Sequence, residues 1–256
     1  MQGDALMDDT IFIAAMTALA TSLASKGAEG PAHTLNLLWQ ATFGRVDKPL
    51  EEYLAKRNND KIKYIEEIDK ETSKIPVDKI KQEIDISLVG PALEASKYYI
   101  GNAVLRSMFA KLIAASLDRR HNGKVHHAFV EIIKQMNPLD AQMLSDLKNP
   151  SYVLYYLTNQ HGRGYAYENL YMSDRFQEPF EESSLAISNL ERLGLIHVYR
   201  YRNGLMVGTG AFLDSMVKRF KKTDYYKRMP EPVDPYFTVD QLEITTLGLT
   251  FRDICL

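Results

Sequence analysis

Apolar residues recur at helical spacing through the first 150 positions and give way to strand-like runs only further on. The earliest block, Ile11 to Ala24 (IFIAAMTALATSLA), is apolar nearly throughout and predicts a helix that docks on protein or, as the alternative, on a membrane surface. Gly and Pro in the next stretch, SKGAEGPAH, break it. TLNLLWQATFG then carries the only tryptophan, Trp39, beside Leu35, Leu38 and Phe43, an aromatic anchor for this segment. From Leu50 to Asp85 charge of both signs is dense, with Tyr53, Leu54, Ile62, Ile65 and Ile68 at helix-like intervals. That pattern describes a surface helix laced by (i, i+4) pairs such as Glu66 with Lys70.

Helix signals continue along the chain. Pro91 after Gly90 suits a first helical turn, where proline sacrifices no internal hydrogen bond. Asn102 is placed to cap a helix whose Val104, Leu105, Met108, Phe109, Leu112 and Ile113 form one wide apolar face. RRHNG closes it with basic residues and an Asn-Gly turn. HAFVEIIKQM follows, and Asn137-Pro138-Leu139-Asp140 stops that helix at Met136 and starts another at Pro138.

After Pro150 the chain turns rich in Tyr and Gly. A helix is predicted over Ser184 to Leu193, a stop at Gly194, a strand from Leu195, and a second strand in LEITTLGLTF with a Thr-x-x-Gly step at Thr245 to Gly248. This order is that of a winged helix. The expected fold is therefore mainly α, a helical bundle plus a small C-terminal winged-helix-like α+β part. Its expected divisions are 1–49, an apolar docking segment, 50–136, a helical domain, and 137–256, the winged-helix-like part with an insertion near 150–182.

Composition narrows the class. The 256 residues are 45% hydrophobic and 25% charged, ordinary for a soluble globular protein. A net charge of -2 gives no bulk attraction to nucleic acid or anionic membrane, so such binding needs a local patch. One cysteine, Cys255, makes no intramolecular disulfide, which excludes a stapled secreted scaffold and fits a reducing cytoplasm. Residues 11–24 fall short of the roughly 18–20 needed to cross a bilayer. They follow Asp4, Asp8 and Asp9, where a secretory leader is positively charged. The expectation is a cytoplasmic protein with no transmembrane segment, its apolar N-terminal helix offering a contact to a protein partner or a second copy.

Candidate chemistry is sparse. Asp118, His121, His126, His127 and Glu131 are residue types that suit zinc or another divalent metal. Their spacing argues against it: His126 and His127, as neighbours on a helix, point about 100° apart, and no His-Glu-x-x-His or paired-Cys motif occurs. A helix-turn corner is the plainer reading, so no cofactor is expected. No Gly-x-Ser-x-Gly elbow, phosphate-binding Gly-rich loop or dinucleotide fingerprint is present, and no catalytic residue is assigned. The strongest nucleic-acid candidate is VKRFKKTDYYKR, with Lys218, Arg219, Lys221, Lys222, Lys227 and Arg228 among Phe220, Tyr225 and Tyr226. Cations for phosphate and aromatics for stacking suit a single strand, and Arg200 and Arg202 in the expected wing extend the set. The alternative is a solvated basic face, and the expected recognition helix offers only Arg192 for base readout.

The stretch VGPALEASKYYIGNAVLRSMFAKLIAASLDRRHNGKVHHAFVEIIKQMNPLDAQMLSDL, residues 89–147, resembles the abortive infection alpha family of bacterial proteins. Three pieces carry the resemblance: GPALEA, the FAKLI helix, and the run from His126 to Asp140 with FVEIIKQ. SNLERLGLI and the terminal Thr-x-x-Gly-x-x-Phe-x-x-x-Cys, Thr245 to Cys255, look like the closing elements of the same family. The resemblance implies a cytoplasmic bacterial protein of antiviral defence by abortive infection, and supplies no catalytic residues to carry over. The functional expectation is a phage-defence component that recognises a protein or ligand. The alternative is a winged-helix regulator or sensor that binds nucleic acid through the cations above.

Overall fold

The computed structural model describes residue 52 and residues 55–81, 83–159, 161, 164–173, 180–200 and 210–256. The helix expected at 11–24, Trp39 and Arg202 lie outside the described residues. The chain divides into two compact units, one running to Pro138 and including Asp253–Leu256, the other Leu139–Arg252.

In the first unit four helices assemble: α1 (Asn58–Thr72), α2 (Ile86–Ser96), α3 (Ala103–Leu117) and α4 (Ala128–Lys134). The centre is α3, against which α1, α2 and α4 pack. It is buried on nearly every side, including Phe109, Leu112 and Leu117. Its alanines, Ala110, Ala114 and Ala115, occupy little volume where neighbouring helices approach. Asn102 begins it as expected, its side chain accepting from the Val104 and Leu105 amides at 3.1 and 3.2 Å. Arg106 is buried within this helix, and its guanidinium donates to Glu67 of α1 at 2.8 and 3.0 Å and to the Ile100 carbonyl at 2.9 Å. A buried cation with three hydrogen bonds, two of them to a carboxylate, is a tolerable core residue; one without them is not.

Here α2 departs from the expected start at Pro91. It begins at Ile86, where Asp85 accepts from the Ser87 amide, and Pro91 sits inside it. The aspartate cap gives a stronger start than the proline, which costs only the one ladder bond it cannot donate.

The second unit corrects the fold class. It is not a small appendix to a mainly α protein. The described residues hold nine helices and a four-stranded antiparallel sheet curled into a half-barrel, a substantial α+β fold. The strands are β1 (Ser151–Leu157), β2 (Ala166–Tyr171), β3 (Ile196–Tyr199) and β4 (Tyr236–Ile244), in the order β2-β1-β4-β3. Half of this sheet is built from the Tyr-rich segment in which no strand is expected. The reason is burial: Val153, Leu154, Tyr155 and Tyr156 of β1 are all buried, so the alternation that announces a half-exposed strand is missing. Register slips between Leu154 and Tyr156 opposite β2, where Asn169 takes a positive φ of 56°. Such a bulge increases local twist and helps a sheet curl.

Around the sheet lie α5 (Pro138–Asp146), α6 (Phe180–Arg192), α7 (Gly210–Lys221), the short α8 (Asp224–Lys227) and α9 (Thr246–Cys255). One face of the sheet contributes Leu154, Tyr156 and Val239 to a core closed by Phe180, Met216 and Phe220. On α5, Asp140 is fully buried and accepts from Asn189 of α6 at 2.7 Å. No described helix is long and apolar enough to cross a membrane.

Candidate functional site

The basic stretch falls on α7 and α8, and the fold divides it by face. Met216 and Phe220 point into the core, with Leu213 and Val217 partly buried beside them. The same 3.6-residue period turns Lys218, Arg219 and Lys221 to solvent, and Lys222 follows at the helix end. Phe220 is fully buried, with ring centroids 5.5 Å from Phe180 and 5.3 Å from Tyr226. Tyr225 and Tyr226 are packed against the same cluster, and a ring spent on core packing offers no face to a base. Lys221 lies 5.3 Å from the Phe237 ring centroid, a cation–π contact.

The remaining cations are drawn into pairs. Lys227 meets Asp224 at 2.8 Å, and Arg228 donates to the Asp224 carbonyl at 3.2 Å. The hydrogen bond from Lys227 holds the Asp224 carboxyl below its usual range. Arg200 engages Glu191 through two nitrogens, at 2.6 and 2.8 Å. That fork is the first cause holding the Glu191 carboxyl down, against the opposing effect of burial. Arg202 is outside the described residues.

The histidine corner is dispersed. His126 accepts the Ala128 amide on Nδ1 at 3.0 Å, acting as a cap for α4. His127 stands 3.8 Å from Asp85, and His121 stands 3.8 Å from Asp118. Burial opposes ionisation of Asp118, but its hydrogen bonds from Arg120 outweigh this and keep the carboxyl below the usual range. Glu131 pairs with Lys134 at 2.9 Å. Among the described residues no three metal-type side chains converge. Of these groups, His126 serves a helix start and Glu131 a pair within α4.

What the fold does bring together is a cleft of about 410 Å³ in the second unit, which no sequence motif marks. Lys148 and Pro150 enter it from the link between α5 and β1, Tyr152 from β1, Tyr171 from β2, and Phe212 and Arg219 from α7. Tyr152 and Phe212 meet edge to face, with ring centroids 5.0 Å apart. Phe212 remains 42% exposed. The loop bearing Lys148 is fixed by Ser151, whose Oγ accepts the Lys148 amide at 3.1 Å and donates to its carbonyl at 2.7 Å. Tyr171 donates to Asp146 at 3.2 Å. Burial, then the neighbouring Asp146 charge, push that phenol up to about 12, so it remains a donor at neutral pH. Of the sequence candidates, only Arg219 lines this cleft. Lys148, Tyr152 and Phe212 lie up to 71 residues away from it in sequence and carry no local signature.

Comparison with known proteins adds one finding. A family model described as abortive infection alpha matches residues 56–255, a span that includes the segment at 89–147. No curated protein matches the chain, and no solved structure does.

Proposed function

The chain belongs to the abortive infection alpha family, and from that premise we propose that it is a phage-defence component working by recognition of a protein or ligand. The observation that carries this reading is the extent of the family match, residues 56–255, which runs through the described parts of both units. Recognition is favoured over catalysis by how the reactive groups are used. His126 accepts an amide at the start of α4, Glu131 pairs with Lys134 within that helix, and Cys255 is fully buried. By contrast, the cleft at Tyr152, Phe212 and Arg219 offers cation and ring to a ligand.

In this reading the chain works in the bacterial cytoplasm, and residues 11–24, outside the described set, contribute an apolar contact to a partner or a second copy. Plaquing of a diverse phage panel on cells carrying or lacking the gene tests the proposal. Lower plaquing efficiency for some phages is expected, and equal plaquing for all of them would count against it.

A second reading, a nucleic-acid-binding regulator or sensor, is favoured by the exposed cations Lys218, Arg219, Lys221 and Lys222 clustered at the end of α7. Their contribution would be to phosphates, because Phe220 is in the core and Tyr225 and Tyr226 pack against it. DNA and RNA binding measured at two salt concentrations tests it: affinity should fall steeply as salt rises, and absence of binding at low salt would dispose of it.

A further inference from the structure

Three features of the cleft in the second unit point to one class of ligand. Cationic groups come first. Lys148 and Arg219 both line it, both side chains are solvent-facing, and neither ammonium nor guanidinium has an acidic partner among the described residues. Elsewhere in this unit Arg200 and Lys227 are held in ion pairs. The single carboxylate on the wall, Asp146, already accepts from Tyr171, so positive charge predominates. Such a wall attracts an anion, and a guanidinium in particular presents a fork that matches phosphate oxygens.

Aromatic surface comes second. Tyr152 and Phe212 line the same cleft in edge-to-face contact, and Phe212 keeps 42% of its surface exposed. Met172 and Met216 add polarisable apolar surface at the back. An exposed ring, Phe212, beside cations with no acidic partner among the described residues suits a planar group more than a bare inorganic ion. Size comes third. At about 410 Å³ the cleft exceeds what one phosphate fills and falls within the roughly 300–1,000 Å³ of sites for drug-sized molecules.

We propose that this cleft binds a nucleoside phosphate, with Lys148 and Arg219 receiving the phosphate and the exposed ring of Phe212, backed edge-on by Tyr152, receiving the base. Phosphate alone would leave the rings unused, and a nucleoside alone would leave the cations unused. Both parts are needed for tight binding. Because α7 supplies both Phe212 and Arg219, one helix positions the base side and the phosphate side together. The proposal deepens the recognition reading above and rests on it for its cellular meaning. Its test uses no phage, so failure of one leaves the other standing.

Titration calorimetry on the purified full chain at low salt, with AMP, GMP, CMP and UMP as probes, is the direct experiment. At least one should bind, and the matching nucleoside and inorganic phosphate should each bind at least tenfold more weakly. Arg219→Ala and Lys148→Ala, both at exposed positions, should each weaken binding about tenfold while leaving the melting temperature unchanged. Arg219→Lys should fall between, keeping the charge and losing the fork. Phe212→Ala should weaken the nucleotide and leave the residual affinity for inorganic phosphate unaltered. The proposal is overturned if no mononucleotide binds at millimolar concentration, or if binding survives the Arg219→Ala, Lys148→Ala double variant unchanged. It is equally overturned if a short single-stranded oligonucleotide binds and no free mononucleotide does, since the strand-binding reading would then stand in its place.

Discussion

Glu191 and Cys255 show how the fold sets the chemistry of single residues. Glu191 is ionised more readily than usual because Arg200 grips it with two hydrogen bonds. A carboxyl with a depressed folded value contributes stability above its unfolded value, here 4.5, and loses it as pH falls through the lower folded value. The wild-type chain should therefore lose thermal stability below pH 4.5 more steeply than Glu191→Gln, as read by melting curves from pH 6 down to 3. Matching profiles would remove the pair from the account of acid sensitivity. Cys255 behaves in the opposite sense: burial pushes its thiol well above the ordinary value. A thiol reagent at neutral pH should label it very slowly in the folded chain and fully in denaturant; rapid labelling without denaturant would contradict its burial. The placement of Cys255 as a small buried hydrophobe is legible from FRDICL alone. The burial of Phe220 was also written in the chain, as a helical stripe with Leu213, Met216 and Val217, but the flanking cations make it, with the half-buried Tyr225 and Tyr226, read as a base-stacking group.

Elements differ in how openly the sequence declares them. The start of α3 is declared by Asn102, and Asn102→Ala should lower stability by about 1 kcal/mol, measured by urea denaturation, with no change in the slope of the transition. The α4–α5 corner is likewise declared, by Asn137-Pro138, and α5 begins at Pro138. The strand β1 is not: it is buried along most of its length, and a run of apolar and aromatic residues carries no period by which to tell strand from buried helix. The Thr-x-x-Gly step is visible in sequence, yet its meaning is not. Thr245 Oγ1 accepts the Gly248 amide at 3.0 Å and donates to the Gly194 carbonyl at 2.6 Å, seating the start of α9 on the turn before β3. A Cβ on Gly248 would fall 1.9 Å from the Leu195 carbonyl oxygen, a backbone atom with little room to yield. Gly248→Ala should accordingly destabilise by roughly 1–3 kcal/mol or more, seen as a melting temperature several degrees lower, whereas an unchanged melt would mean that α9 seats differently.

At the scale of the whole molecule, function is the least legible property, because the candidate cleft exists only once the sheet has formed. Residues 148–152, 171 and 212–219 become neighbours through strand pairing and the packing of α7 on β4, which no local pattern encodes. The family, in contrast, is carried by contiguous motifs and is readable from the chain, as the match over 56–255 bears out. We propose that this chain protects a bacterial population from phage by recognition inside the infected cell. This proposal is tested most directly by following culture density after infection, in cells carrying or lacking the gene, at low and at high phage-to-cell ratio. Carriers should survive at low ratio and collapse at high ratio, each infected cell being lost before it releases a full burst. Carriers that lyse like non-carriers at low ratio, for every phage tried, would contradict it.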